Sequence, residues 1–258
     1  MNIVPEHAEF RALYLSEIGV HTPLSVDNTG LPARFSNDTK PEGGRATSSP
    51  VLSQPEPAVS STSVAVDKSV AAVEHKLDDI AIQASSCTAC QLSEQRHSVV
   101  FGVGNPDAEI VFIGEAPGSD EDLQGEPFVG RAGQLLDRML ISLGMDRSEV
   151  YIMNTVKCRP PNNRDPKPDE VETCSRWFDA QLKALSPKVI CLLGRVSAQT
   201  VLETDQSLSQ LRRGWHEYHG IPVQVMYHPA YLLRSPQQKR HAWSDLCELK
   251  LRYDSLSS

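Results

Sequence analysis

Glu109-Ile110-Val111-Phe112-Ile113-Gly114-Glu115-Ala116-Pro117-Gly118 is the stretch from which the fold can be read. Its run of apolar, mostly β-branched residues suits a strand buried on both faces. Glycine and proline end the run at once. The same grammar recurs downstream. Val150-Tyr151-Ile152-Met153 precedes Asn154, Val189-Ile190-Cys191-Leu192-Leu193 precedes Gly194, and Val223–Tyr227 precedes His228-Pro229-Ala230. Helical patterns separate these runs. Ala132–Leu143 carries Leu135, Leu136, Met139, Leu140 and Leu143 on one stripe. Pro168–Leu185 opens on a proline that a first turn tolerates, with Asp169 and Glu170 at its positive end. Arg195–Leu202 and Gln237–Arg252 complete the set. Strands alternating with helices imply parallel pairing and right-handed crossovers. The expected fold is α/β, a three-layer α/β/α sandwich on a four-stranded parallel sheet. Ligands of such sheets bind outside the carboxyl ends of the strands. The loops at Gly114–Gly118, Asn154 and His228–Ala230 are therefore expected to meet at one pocket.

The chain has 258 residues, enough for one core with residues to spare. The surplus lies at the front. Residues 1–19 suit a short amphipathic helix through Phe10, Leu13, Tyr14 and Ile18, a candidate element for a protein partner. Residues 20–70 are rich in Ser, Pro and acidic residues without periodicity and read as a disordered linker. The folded domain is expected over 71–258, starting with a helix from near Val70 to Ile82. No run approaches the ~20 apolar residues of a membrane span. Glu6, Glu9, Arg11 and Glu17 make residues 1–19 unlike a secretory signal. The expectation is a soluble, cytoplasmic monomer.

The net charge of −8 argues against coating nucleic acid by bulk charge. Two local stretches are nevertheless basic: Lys157, Arg159 and Arg164; and Arg212, Arg213, Arg234, Lys239 and Arg240, which Glu217 alone opposes between Gln210 and His241. They suit a small nucleic-acid footprint or a plain solvated surface.

Of the six cysteines, Cys191 and Cys247 lie in apolar patterns and read as small buried hydrophobes. Cys87-Thr88-Ala89-Cys90, Cys158 and Cys174 lie in polar surroundings. Four thiolates can hold structural zinc or an iron–sulfur cluster. The second half is not another C-x2-C, which tilts the reading towards a cluster.

Taken in order, these motifs resemble the family 4 uracil-DNA glycosylases, the iron–sulfur branch of their superfamily. The resemblance covers about residues 85–255. It runs through the Cys87–Cys90 pair, Gly114–Gly118, Pro127-Phe128-Val129-Gly130-Arg131-Ala132-Gly133, Asn154–Arg164, Cys174 and His228–Arg234. It implies a [4Fe–4S] cluster on Cys87, Cys90, Cys158 and Cys174. It also implies a monofunctional enzyme that hydrolyses the N-glycosidic bond of deoxyuridine in DNA, the opening step of base excision repair. A base must leave the stack to be reached. By resemblance Phe128 is its aromatic platform, Asn154 reads its edge, and His228 donates to O2, where negative charge develops. The backbone of Glu115 and Ala116 completes the cradle.

Ala116 stands where another branch carries the aspartate that positions water, so Glu115 becomes the candidate for orienting water or stabilising the sugar cation. Gly118 stands where other branches place a tyrosine against the thymine methyl, and Glu121 is the candidate to fill that space. Tyr231 and Leu232 are candidates to wedge into the base stack, and Arg234 to hold a phosphate. The principal alternative is a non-catalytic iron–sulfur or zinc DNA-binding module. A covalent glycosylase branch would need an Arg-rich insertion that Pro160–Arg164 lacks, and a zinc deaminase would need a His-x-Glu motif that is absent.

Overall fold

The computed structural model describes residues 68–257; the expected helix within 1–19 and nearly all of the expected linker over 20–70 lie outside the described residues. The first helix, α1, spans Lys68–Ser85, beginning inside the stretch assigned to the linker. Six strands follow: β1 (Val103–Gly104), β2 (Ile110–Gly114), β3 (Tyr151–Asn154), β4 (Val189–Leu193), β5 (His216–Tyr218) and β6 (Ile221–Met226). They form one sheet in the order β1-β3-β2-β4-β6-β5. The four expected strands are its parallel centre, with Gly114 opposite Asn154 and Phe112 opposite Cys191. The sheet is nonetheless mixed, because β1 joins β3 and β5 joins β6 antiparallel. These edge strands are only a few residues long and partly exposed, so neither writes an apolar run.

Alternation along the central strands builds two cores. Ile110 and Phe112 join Cys191 and Leu193 against α3 (Arg131–Ser142) and α8 (Lys239–Ser257). Val111 and Ile113 join Ile190 and Leu192 against α1, α4 (Pro168–Leu185) and α5 (Arg195–Val201). The expected three layers result. Helix α3 buries Leu135, Leu136, Met139 and Leu140, the stripe expected of it. Helix α4 starts on Pro168 and ends at Ser186, whose φ of 47° closes the last turn on Leu182. Three shorter helices sit around the sheet: α2 (Ser119–Gln124), α6 (Leu208–Leu211) and α7 (Pro229–Arg234). Adjacent strands β2 and β4 send their connections in opposite directions, β2 to β3 on one side and β4 towards β5 and β6 on the other, which opens a crevice at their carboxyl ends. Among the described residues no helix is long and apolar enough to cross a membrane.

Candidate active site and cysteine centre

A cavity of about 610 Å³ fills that crevice. The three expected loops line it, through Glu115–Gly118, Asn154, and His228 with Ala230. Phe128, Glu121, Tyr231 and Arg234 line it too. Gly194-Arg195-Val196, after β4, supply a fourth loop that the sequence reading left unused.

Asn154 ends β3 with only 2% of its surface exposed, and no described residue hydrogen-bonds to its side-chain amide. Gly114 lies directly beside it. A Cβ there would strike both the Asn154 amide oxygen and the Phe128 ring, so this glycine lets the two side chains converge. Thr155 N donates to Gly114 O at 3.0 Å, and Thr155 Oγ1 to Glu115 O at 2.6 Å. The first loop is thus sewn to the chain leaving β3.

The Phe128 ring lies beside the His228 imidazole, centroids 5.5 Å apart and planes 29° from parallel. Phe128 has φ 55°, a left-handed conformation that costs a bulky residue about 1–3 kcal/mol. His228 caps α7: its Nδ1 accepts from Ala230 N at 3.1 Å. A neutral ring whose Nδ1 accepts carries its proton on Nε2. Burial, and secondarily the charge of Arg234, pulls its pKa down to about 4. His228 is therefore a neutral Nε2–H donor at physiological pH. Gly194, at φ 96°, passes so close that an added Cβ would sit 3.0 Å from the His228 Cβ.

Burial, and secondarily the negative charge of Asp165, pushes Glu115 up to about 7, while Arg195 opposes the shift. Arg195 and Asp165 pair at 2.9 Å at the pocket mouth. A carboxyl poised near neutrality is placed to exchange a proton or to face a developing cation. Glu121 reaches the pocket but is heavily engaged: it accepts from Gly118 N at 3.1 Å, Val129 N at 3.0 Å and Gly130 N at 3.2 Å. It ties the first loop to the Phe128 loop.

Two expectations need correction. Leu232 is wholly buried and cannot wedge into a base stack. His228-Pro229-Ala230 opens α7 rather than a plain turn, and helical spacing turns Pro229 and Leu232 inward while Tyr231 and Arg234 remain outside. The basic stretch 157–164 is not a free patch either. Lys157 is 1% exposed and donates to Asn154 O at 2.8 Å and Gln181 Oε1 at 2.6 Å. Arg164 is forked onto buried Glu170, and Arg159 binds Asn163. In the other stretch Arg212 is held by Asp245, whereas Arg213, Arg234 and Arg240 are exposed.

Behind Asn154 lies a second, much smaller cavity lined by Cys87, Cys90, Cys158 and Cys174. Among the described residues no group of three or more His, Cys, Asp or Glu side chains is arranged to hold a metal ion directly; the thiols instead ring a common space. Donors surround them. Arg96 Nη1 reaches Cys158 Sγ at 3.1 Å, Arg176 Nη2 reaches Cys87 Sγ at 3.1 Å, and Lys157 N reaches Cys174 Sγ at 3.4 Å. The buried indole N–H of Trp177, which lines the same cavity, meets strict hydrogen-bond geometry with no described residue, yet lies near enough to Cys87 to favour its thiolate. Burial pushes Cys158 up to about 11 and raises Cys174. At Cys87 burial also raises the pKa, but the Ala89 backbone, Trp177 and Arg176 together bring it below the usual thiol value. Four thiols amid cationic and N–H donors suit an anionic four-thiolate group. Cys191 is fully buried, as expected, with its Sγ 3.0 Å from Met226 Sδ, and Cys247 packs against the same core.

The profile of the uracil DNA glycosylase superfamily matches residues 101–247. A type-4 uracil-DNA glycosylase of Archaeoglobus fulgidus is 48% identical over 177 residues, 66% of this chain and 89% of that protein. The type-4 enzyme of Thermotoga maritima is 42% identical over 164 residues, 63% and 85% of the two chains. The chain belongs to the type-4 uracil-DNA glycosylases. A type-5 uracil-DNA glycosylase of Thermus thermophilus is more distant, 33% identical over 118 residues and 53% of its length. Membership of the type-4 family agrees with the motif order on which the sequence resemblance rested.

Proposed function

We propose that this protein excises uracil from DNA by hydrolysing the N-glycosidic bond, so starting base excision repair, and that it does so as a cytoplasmic monomer through residues 71–258. The observation that carries the assignment of roles is the convergence of Glu115, Phe128, Asn154 and His228 on one cavity at the carboxyl ends of parallel strands. Extruded uracil lies against Phe128, and the free amide of Asn154 donates to O4 and accepts from N3–H. Cytosine reverses both polarities at that edge, and each buried mismatch costs about 1–3 kcal/mol. The neutral His228 Nε2–H donates to O2 as the bond breaks and negative charge gathers there. A neutral donor suits an oxyanion because it keeps its proton throughout. The Glu115 carboxylate orients water or faces the sugar cation, and the backbone at Ala116 closes the cradle. Glu121 walls the side on which a thymine methyl would enter, held rigid by three backbone N–H groups. Tyr231 and Arg234, exposed on α7, meet the DNA.

Cys87, Cys90, Cys158 and Cys174 are assigned to a [4Fe–4S] cluster. Bound there, it supplies a rigid cross-link between the segment before the sheet, the chain leaving β3 and α4. Lys157 relays that rigidity to the Asn154 carbonyl. Residues 1–19 are left for a protein partner. A non-catalytic binding module is not favoured, since it leaves the free Asn154 amide and the perturbed Glu115 and His228 without a task. The test is release of base from matched oligonucleotides carrying uracil or cytosine. Wild type should release uracil only. Asn154→Asp, which loses the donor to O4, should cut uracil release by at least about tenfold, the loss of one hydrogen bond of ~1.4 kcal/mol. Undiminished uracil release by Asn154→Asp would remove Asn154 as the reader.

A further inference from the structure

The left-handed backbone at Phe128 is held from two sides. On the amide side, Glu121 Oε1 accepts from Val129 N and Gly130 N. On the carbonyl side, Arg147 Nη2 donates to Pro127 O at 2.5 Å and Nη1 to Phe128 O at 3.2 Å. Nη1 also pairs with Asp137 Oδ1 at 2.9 Å. Arg147 comes from the short turn before β3 and Asp137 from α3, so the clasp joins two elements to the loop. Beneath the loop, Gly133 on α3 leaves no room for a Cβ against the Phe128 carbonyl, so the carbonyl rests on the helix backbone itself. Arg147 is absent from the pocket lining. It reaches the reaction only through the backbone that carries the ring.

We propose that Arg147, aimed by Asp137, is a positioning residue: by bridging the Pro127 and Phe128 carbonyls it fixes the Phe128 ring beside His228 as the platform for the flipped base. The proposal rests on the reading of Phe128 as that platform. The guanidinium suits the task because its planar fork offers several donors in fixed directions, whereas an ammonium is a single point on a flexible stem. Once the clasp is released, the strained residue relaxes toward ordinary backbone angles and the ring swings from its stacked position. The base then loses its face contact, while the surface that grips the DNA backbone is untouched.

The experiment uses the full chain as wild type, Arg147→Met, Arg147→Lys, Phe128→Ala and the double variant Phe128→Ala with Arg147→Met. It reads single-turnover uracil release, inhibition by free uracil, affinity for abasic-site DNA and the thermal midpoint. Arg147→Met is expected to slow release by about tenfold or more, equivalent to ~1.4 kcal/mol. It should weaken inhibition by uracil to a similar degree and leave abasic-DNA affinity unchanged. In the Phe128→Ala background it should add almost nothing, because the two residues act as one unit. Arg147→Lys should fall between wild type and Arg147→Met. Should Arg147→Met fail to fold, the same cycle run with Arg147→Lys carries the test. Losses that multiply across the cycle, or uracil inhibition that does not move, would overturn the proposal. Full release by Phe128→Ala would overturn both it and the platform reading. Absence of uracil release by wild type would overturn the proposed activity itself.

Discussion

The pocket at the strand ends and the cavity between the cysteines share the segment Asn154–Cys158, yet they treat polar groups in opposite ways. In the first, groups are desolvated and left incomplete: the Asn154 amide has no partner among the described residues, Glu115 is pushed up to about 7, and His228 is pulled down to about 4. In the second, Arg96, Arg176 and Lys157 N–H already point donors at sulfur. A site for a passing ligand keeps its hydrogen-bonding capacity in reserve and stands under electrostatic strain. A site for a resident group is furnished in advance. On the proposed reading, the first is the site of chemistry and the second a scaffold.

The comparison breaks most visibly at Cys158. Changing it to Ala should abolish iron content and the broad absorbance near ~400 nm of a cluster. It should also lower the thermal midpoint and remove uracil release. A variant that lost its iron yet kept full activity would free the pocket from the cysteines. Wild-type protein, purified anaerobically, that carried zinc without iron or sulfide would refute the cluster.

His228→Ala should act on one side of the comparison only. Uracil release should fall by ~10²–10³, the usual value of one donor aimed at developing negative charge. Iron content and abasic-DNA affinity should stay as in wild type. Equal losses in release and in abasic-DNA binding would make His228 a binding residue instead.

Glu115→Gln yields the smallest effect and the sharpest pH signature. The folded pKa of about 7 lies above the ordinary carboxyl value of 4.5. Stability from this group is therefore complete below about 4.5 and is lost as pH rises through about 7, where the buried carboxylate must ionise. Gln removes that cost. The variant should be more stable than wild type at pH 8 and close to it at pH 5, by thermal denaturation at both. Wild-type activity should rise as pH passes ~7, and the variant should be less active and lack that rise. His228 stays neutral above about 5 and adds no second limb in that range. An unchanged profile in Glu115→Gln would exclude the carboxylate from the reaction.

Much of this arrangement could be read from residue order. Ile110–Gly114 and Val189–Leu193 announced themselves because strands buried on both faces must be continuously apolar. Glu115, Asn154 and His228 were legible because each polar residue follows such a run. Gly194-Arg195 follows one in the same way, and that signal went unused. The rest was hidden for physical reasons. Val103–Gly104 and His216–Tyr218 are edges too short and too wet to leave a pattern. A lysine is rarely buried, so Lys157 read as surface until Gln181 and the Asn154 carbonyl appeared around it. Leu232 looked available because it follows His228–Ala230, which read as a loop, whereas proline also fits the first turn of a helix. Arg147 meets the Phe128 carbonyl across 19 residues of sequence, and no local pattern encodes that contact.

Those brief edges have a further consequence. With β1 outside β3 and β5 outside β6, every strand that ends in a pocket loop has a neighbour on both sides. Among the described residues the flanks left unpaired are two and three residues long, poor templates for edge-to-edge aggregation. The ladders run on both sides of β2 as far as Ile113 and of β4 as far as Leu192, whereas β1 and β5 pair only with the amino-terminal parts of β3 and β6. Amide hydrogens along β2 and β4 therefore belong to the slowest-exchanging class, released by global unfolding, while the loops above them exchange through local fluctuation.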